Sequence, residues 1–85
     1  MERTIKCLLL KTNQVLVTEI VEVGSELGEP DCKLINPFLL NSLNHTLSDW
    51  CDFTYQKEFM IHSDNIMTIA DPKPEIIENY LKLTE

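Results

Sequence analysis

Eighty-five residues, 44% hydrophobic and 25% charged, suffice for one small globular domain and are too few for two, which excludes a multidomain enzyme. Seven Lys and Arg against fourteen Asp and Glu leave a net charge of -7, so a generic basic clamp for nucleic acid is excluded unless positive charge gathers locally. No run approaches the ~18 apolar residues of a membrane helix, and Met1-Glu2-Arg3-Thr4 leads directly into an alternating segment, so the expectation is a soluble, cytoplasmic chain with no membrane partner.

Ile5–Leu10 is apolar and β-prone. Lys11-Thr12-Asn13-Gln14 breaks it before the β-branched run 15–23, predicting two strands joined by a polar turn. Both glycines, Gly24 and Gly28, fall in the loop that follows, where a positive φ is most easily needed. A third strand is expected over 32–40, apolar on both faces, with Pro37 marking a bulge or an edge because proline donates no ladder bond. Residues 41–49 read as a polar loop. From Trp50 the chain alternates, with Cys51, Phe53, Tyr55, Phe59 and Ile61 against Asp52, Thr54, Glu58 and His62, which predicts a fourth, long, half-buried strand over 50–61. Ser63-Asp64-Asn65 is a tight turn, with Asn65 expected in the left-handed conformation, and Ile66–Ala70 a short fifth strand. Asp71-Pro72 reads as an N-cap followed by proline at the first helical position, and Ile76, Ile77, Tyr80 and Leu81 recur at helical spacing.

These elements predict a mostly β single domain: a small, strongly bent five-stranded barrel over 1–70, closed by a short amphipathic helix over 71–85. The fourth and fifth strands are its open edges, and the fifth carries no Lys or Pro to discourage pairing with another chain. Cys7, Cys32 and Cys51 are odd in number and widely spaced, with no CxxC pair, which suits inert thiols; a metal site would have to recruit His45 and His62, so neither metal nor cofactor is expected.

With Leu10-Lys11-Thr12-Asn13-Gln14-Val15 and Asp31-Cys32-Lys33-Leu34-Ile35-Asn36 matching a first motif, and Ile61-His62-Ser63-Asp64-Asn65-Ile66 a second, the chain resembles the Sm-like (LSm, SH3-like barrel) family over about residues 5 to 70. It is also similar to small Sm-like proteins of marine tailed phages, which implies a phage source and the host cytoplasm. The resemblance implies a homo-oligomeric ring of about five to seven subunits, joined through strands four and five, that binds single-stranded RNA at its inner rim without catalysis. It carries RNA contact onto Asn36, for a base edge, and onto the turn residues His62 and Asn65. The sequence departs from the pattern at Leu34, which stands where the family stacks an aromatic or His on the base, and at His62-Ser63, which replace a basic residue and Gly.

Each candidate has a structural alternative. Asn36 either reads a base or hydrogen-bonds backbone beside Pro37; His62 stacks and donates or is a surface strand end; Asn65 binds or only shapes its turn. Lys33, the cation of the Asp31–Asn36 segment of the first motif, contacts phosphate or is a solvated strand residue. Trp50, Phe53, Tyr55 and Phe59 read as core or subunit interface, and Glu19, Glu22, Glu26, Glu29 and Asp31 as a solvated acidic rim. No nucleophile, phosphate loop or ligand spacing supports an enzyme. The competing function is an acidic protein-interaction module that docks a basic partner; a small ligand or metal inside the barrel is disfavoured because side chains fill so small an interior.

Overall fold

The computed structural model describes residues 4–24, 26–41 and 43–84. Six antiparallel strands form one sheet: β1 (Ile5–Leu10), β2 (Val15–Glu22), β3 (Cys32–Asn41), β4 (Thr46–Asp49), β5 (Glu58–Ile61) and β6 (Ile66–Ala70), followed by helix α1 (Pro74–Thr84). The order is β4-β3-β2-β1-β6, with β5 also paired to β3. The chain is therefore mostly β with a C-terminal helix. The sheet is not closed, because β5 and β6 are consecutive in the chain and do not pair.

The β1–β2 hairpin follows its turn chemistry. The Asn13 N–H reaches the Leu10 carbonyl at 2.9 Å, and Asn13 takes φ 68, a left-handed position that asparagine tolerates. In the β2–β3 loop Gly28 alone of the glycines takes a positive φ, at 89.

Pro37 marks a bulge. Val17 pairs with Phe38 and Glu19 with Ile35, so Asn36 and Pro37 together oppose Thr18, and Asn36 adopts φ 53. The extra residue reverses the alternation of β3. Leu34 before it and Leu39 after it both enter one core, with Leu8, Leu10, Leu16, Ile20, Trp50, Ile61 and Ile66. Phe38 and Leu40 turn instead to the opposite face, where Val17, Ile76 and Tyr80 form a second core with Ile5, Cys7 and Leu47. A third strand apolar on both sides is the outcome.

Helix α1 covers this second face through Ile76 and Tyr80. Tyr80 is fully buried, its ring edge-on to Phe38 at 5.7 Å. Its hydroxyl accepts the Glu19 N–H at 3.1 Å and donates to the Ile35 carbonyl at 2.9 Å. These are the two backbone groups that flank the bulge, so a side chain bridges the ladder where the backbone cannot. Thr18, also fully buried, places its hydroxyl 3.0 Å from the same Ile35 carbonyl and 2.9 Å from that of Glu19.

Four expectations are corrected. Residues 41–49 are not one loop: Asn41 ends β3, His45 at φ 55 turns the chain, and Thr46–Asp49 is β4, paired with β3 from Phe38 to Asn41. The long strand over 50–61 is reduced to β5, paired with β3 from Cys32 to Ile35. Between them 50–57 leaves the sheet, because the bulge at Asn36 and Pro37 splits the edge a continuous strand would need. Phe53 and Tyr55 are consequently exposed, while Trp50 and Phe59 stay half-buried and meet edge to face at 5.9 Å. Asn65 lies in a 3-10 turn (Ser63–Asn65) without positive φ, since a 3-10 turn uses right-handed dihedrals throughout. Finally, Pro74 rather than Pro72 opens the helix, and the Lys73 carbonyl accepts the Ile76 and Ile77 N–H groups at 3.0 and 3.1 Å. Among the described residues no helix is long and apolar enough to cross a membrane.

Candidate functional site

One rim of the sheet gathers the β2–β3 loop and the β5–β6 turn. The loop's base is closed by the Val23 N–H on the Asp31 carbonyl at 3.0 Å, and its tip by the Glu29 N–H on the Glu26 carbonyl at 3.0 Å. Asp31 then ties loop to turn. One carboxylate oxygen accepts the Ser63 N–H at 2.7 Å and the other the Ser63 hydroxyl at 2.8 Å. Those two hydrogen bonds, the backbone one foremost, hold the Asp31 carboxyl below the usual carboxylate range, with His62 assisting. Beside this clamp opens a basin of about 380 Å³ whose wall includes Glu26, Glu29, Asp31 and Asp64 together with His62. Four carboxylates around one imidazole attract cationic groups and repel phosphate.

The sequence candidates do not share this basin. His62 alone of them lines it. Asn65, three residues on, donates its N–H to the His62 carbonyl at 3.1 Å and accepts the Lys11 N–H at 2.9 Å. It faces a separate cavity of about 210 Å³ beside Gln14, Trp50 and Ile61. Lys33 is engaged by Glu58 across the β3–β5 pair at 2.6 Å, which offsets its charge. Asn36 sits in the bulge with its N–H on the Lys57 carbonyl at 2.7 Å, beside a crevice of about 20 Å³ that has room for little more than a water. Cys32, which opposes Ile61, is four residues from Asn36, about 13 Å along an extended strand, so within one chain Asn36 and His62 stand apart.

Asp31 is the residue whose part was not foreseen. Sequence placed it in the acidic rim and in a motif, but its bond to Ser63 depends on two loops 32 residues apart. No signal in either segment alone announces it.

Among the described residues no cluster of three or more His, Cys, Asp or Glu is placed to hold a metal ion. Burial raises the thiol pKa values of Cys7, Cys32 and Cys51, with neighbouring acids adding to the effect at Cys32 and Cys51. All three are free.

Comparison with known proteins adds a family and no activity. The model of the family of unknown function DUF6561 matches residues 3–85, so the chain belongs to that family. No curated protein matches it.

Proposed function

We propose that this member of DUF6561 is a non-catalytic Sm-like subunit that assembles head to tail into a ring, pairing the free edge of β5 in one copy with the free edge of β6 in the next. The observation that carries the reading is that β5 and β6 flank a single short turn and each ends the sheet with an edge unpaired by the described residues. β6 reads Ile-Met-Thr-Ile-Ala, without a charge or proline to block a neighbour. The strand order, and the 3-10 turn between the last two strands, support the Sm-like reading over a generic sheet. As the resemblance would have it, RNA meets the rim at His62 and Asn65, and the protein works in the host cytoplasm.

The acidic basin favours a second reading, in which the rim docks a basic protein segment and no nucleic acid binds. Its wall carries four carboxylates, and the lysine of β3, Lys33, is engaged by Glu58. Light scattering tests the assembly: a mass near 9.8 kDa at micromolar concentration overturns it. A gel shift with oligouridine over a salt series separates the two ligands, since phosphate contacts weaken steeply as salt rises. No shift at low salt leaves the basic-segment reading in place.

A further inference from the structure

The cavity of about 210 Å³ beside the β1–β2 turn is the electrostatic opposite of the acidic basin. Leu10, Trp50 and Ile61 supply its apolar wall, and Thr12, Gln14 and Asn65 its uncharged polar groups. Lys11 is the one charged residue that lines it. Lys6 and Lys33 are engaged by Asp71 and Glu58, whereas Lys11 has no carboxylate partner among the described residues.

The fold holds these groups in place. Trp50 is half-buried and meets Phe59 at 74°, and its indole N–H donates to the Gln14 side-chain oxygen at 3.3 Å. The Thr12 hydroxyl donates to the same oxygen, also at 3.3 Å. With its oxygen turned to two donors, the Gln14 amide keeps its N–H groups for a further acceptor. Asn65 is fixed at both its backbone groups, donating to the His62 carbonyl and accepting the Lys11 N–H. Its side-chain amide, a donor and an acceptor together, has no partner among the described residues.

An indole wall, two amides and an unpaired ammonium answer to the three parts of a nucleotide. Single-stranded bases are bound by stacking on aromatic side chains and by hydrogen bonds to their edges, and phosphates by cations. A neutral sugar would leave Lys11 unused, and a simple carboxylate would leave the amides unused. Size then selects among bases. A cavity of roughly 150 Å³ encloses one benzene ring, so this one takes a single substituted ring, and a fused purine would project from it.

We infer that the cavity binds a pyrimidine nucleotide, with the base against Trp50 and hydrogen-bonded by Gln14 and Asn65, and the phosphate at Lys11. The inference deepens the RNA-binding part of the reading above and rests on it, but it needs only one chain and not the ring.

Trp50 is the only tryptophan, so its fluorescence reports on this cavity. Titrating the full chain with uridine monophosphate at low salt should quench it saturably, with a Kd on the order of 1 mM or below. Adenosine monophosphate and uridine should each bind about 10-fold more weakly, and inorganic phosphate should leave the emission unchanged. Lys11→Glu should weaken uridine monophosphate binding by about 10-fold or more and Gln14→Ala by about 5-fold; both positions are exposed, so circular dichroism should stay that of the wild type. Lys73→Glu, the same change of charge outside the cavity, should bind as the wild type does.

Absence of saturable quenching up to about 10 mM uridine monophosphate overturns the site. So does Lys11→Glu binding as tightly as the wild type, or inorganic phosphate quenching as uridine monophosphate does. Equal affinity for adenosine monophosphate overturns the pyrimidine assignment. The oligouridine gel shift separates these failures from that of the reading beneath them. Lys11→Glu shifted as strongly as the wild type overturns this site alone, and a wild type that is not shifted at low salt overturns RNA binding and this inference together.

Discussion

Tyr80 and Phe53 are aromatic side chains of similar bulk at opposite extremes of burial, yet both belong to segments that meet β3 at its bulge. The bulge disturbs both edges of β3. On the β2 edge the Tyr80 hydroxyl completes the broken ladder, and helix α1 covers the face around it. On the other edge a backbone bond, Asn36 to Lys57, is made at the break, and 50–57 swings outward with Phe53 and Tyr55 in solvent. One irregularity thus produces a finished face and an unfinished one. A half-satisfied region inside the fold must be repaired by the fold itself, because a buried polar group without a partner costs about 1–3 kcal/mol; at an edge the repair can be left to water or to another chain.

Replacing the two aromatics should expose this contrast most sharply. Tyr80→Ala removes a fully buried ring and is expected to cost about 3–5 kcal/mol, a large part of the ~5–15 kcal/mol available to a domain, as read by chemical denaturation. Tyr80→Phe keeps the ring and deletes the bridge; the expected loss is about 1–2 kcal/mol at an unchanged m-value. An equal loss for the two variants would mean that the hydroxyl bridge, not the packing of the ring, holds the helix.

Acid supplies the next test, at the rim. Because the folded state holds the Asp31 carboxyl below its ordinary value of about 3.9, its hydrogen bonds to Ser63 stabilise the protein above that pH. The contribution is lost as pH falls through the lower folded value. Below about pH 4 the wild type should therefore lose stability more steeply than Asp31→Asn, in melts followed by circular dichroism. Parallel acid limbs would show that Ser63 gives the carboxylate no preference for the folded state.

The smallest effects belong to the open edge. Lys33→Ala breaks a partly exposed ion pair with Glu58 and should cost no more than about 1 kcal/mol. Phe53→Ser should leave the stability of the single chain within about 0.5 kcal/mol, whatever it does to assembly. A Phe53 effect comparable with that of Tyr80 would erase the distinction between the two sides.

The finished region was largely legible in the sequence and the unfinished one was not. Alternation and turn residues located β1, β2, β3 and β6, Pro37 pointed to the bulge, and Ile76 with Tyr80 identified the buried face of the helix. The misreading of 50–61 has a physical origin. Alternation reports which side chains could share a face, but a strand also needs a continuous partner, and β3 offers its outer edge in two pieces, 38–41 and 32–35. Phe53 and Tyr55 fit the period and lacked the edge. The rim was illegible for a related reason: His62 was recognised from a motif, whereas its acidic surroundings arise from a loop distant in sequence. Lys33 resembled a free cation until β5 placed Glu58 beside it.

The Tyr80 bridge also bears on the order in which the protein folds. Its two bonds span 61 and 45 residues, and β1 meets β6 through Leu8 and Ile69, whereas β1, β2 and β3 are successive neighbours joined by one turn and one loop. Closing the longer loops costs more entropy before any contact rewards it, so the three-strand meander is expected to nucleate and the helix to dock after the rate-limiting barrier. In a chevron experiment Tyr80→Phe should then speed unfolding while leaving the refolding limb nearly unmoved, a low φ-value at the residue that ties the structure shut. The lifetime of the folded state, more than the speed of reaching it, is what that one hydroxyl sets.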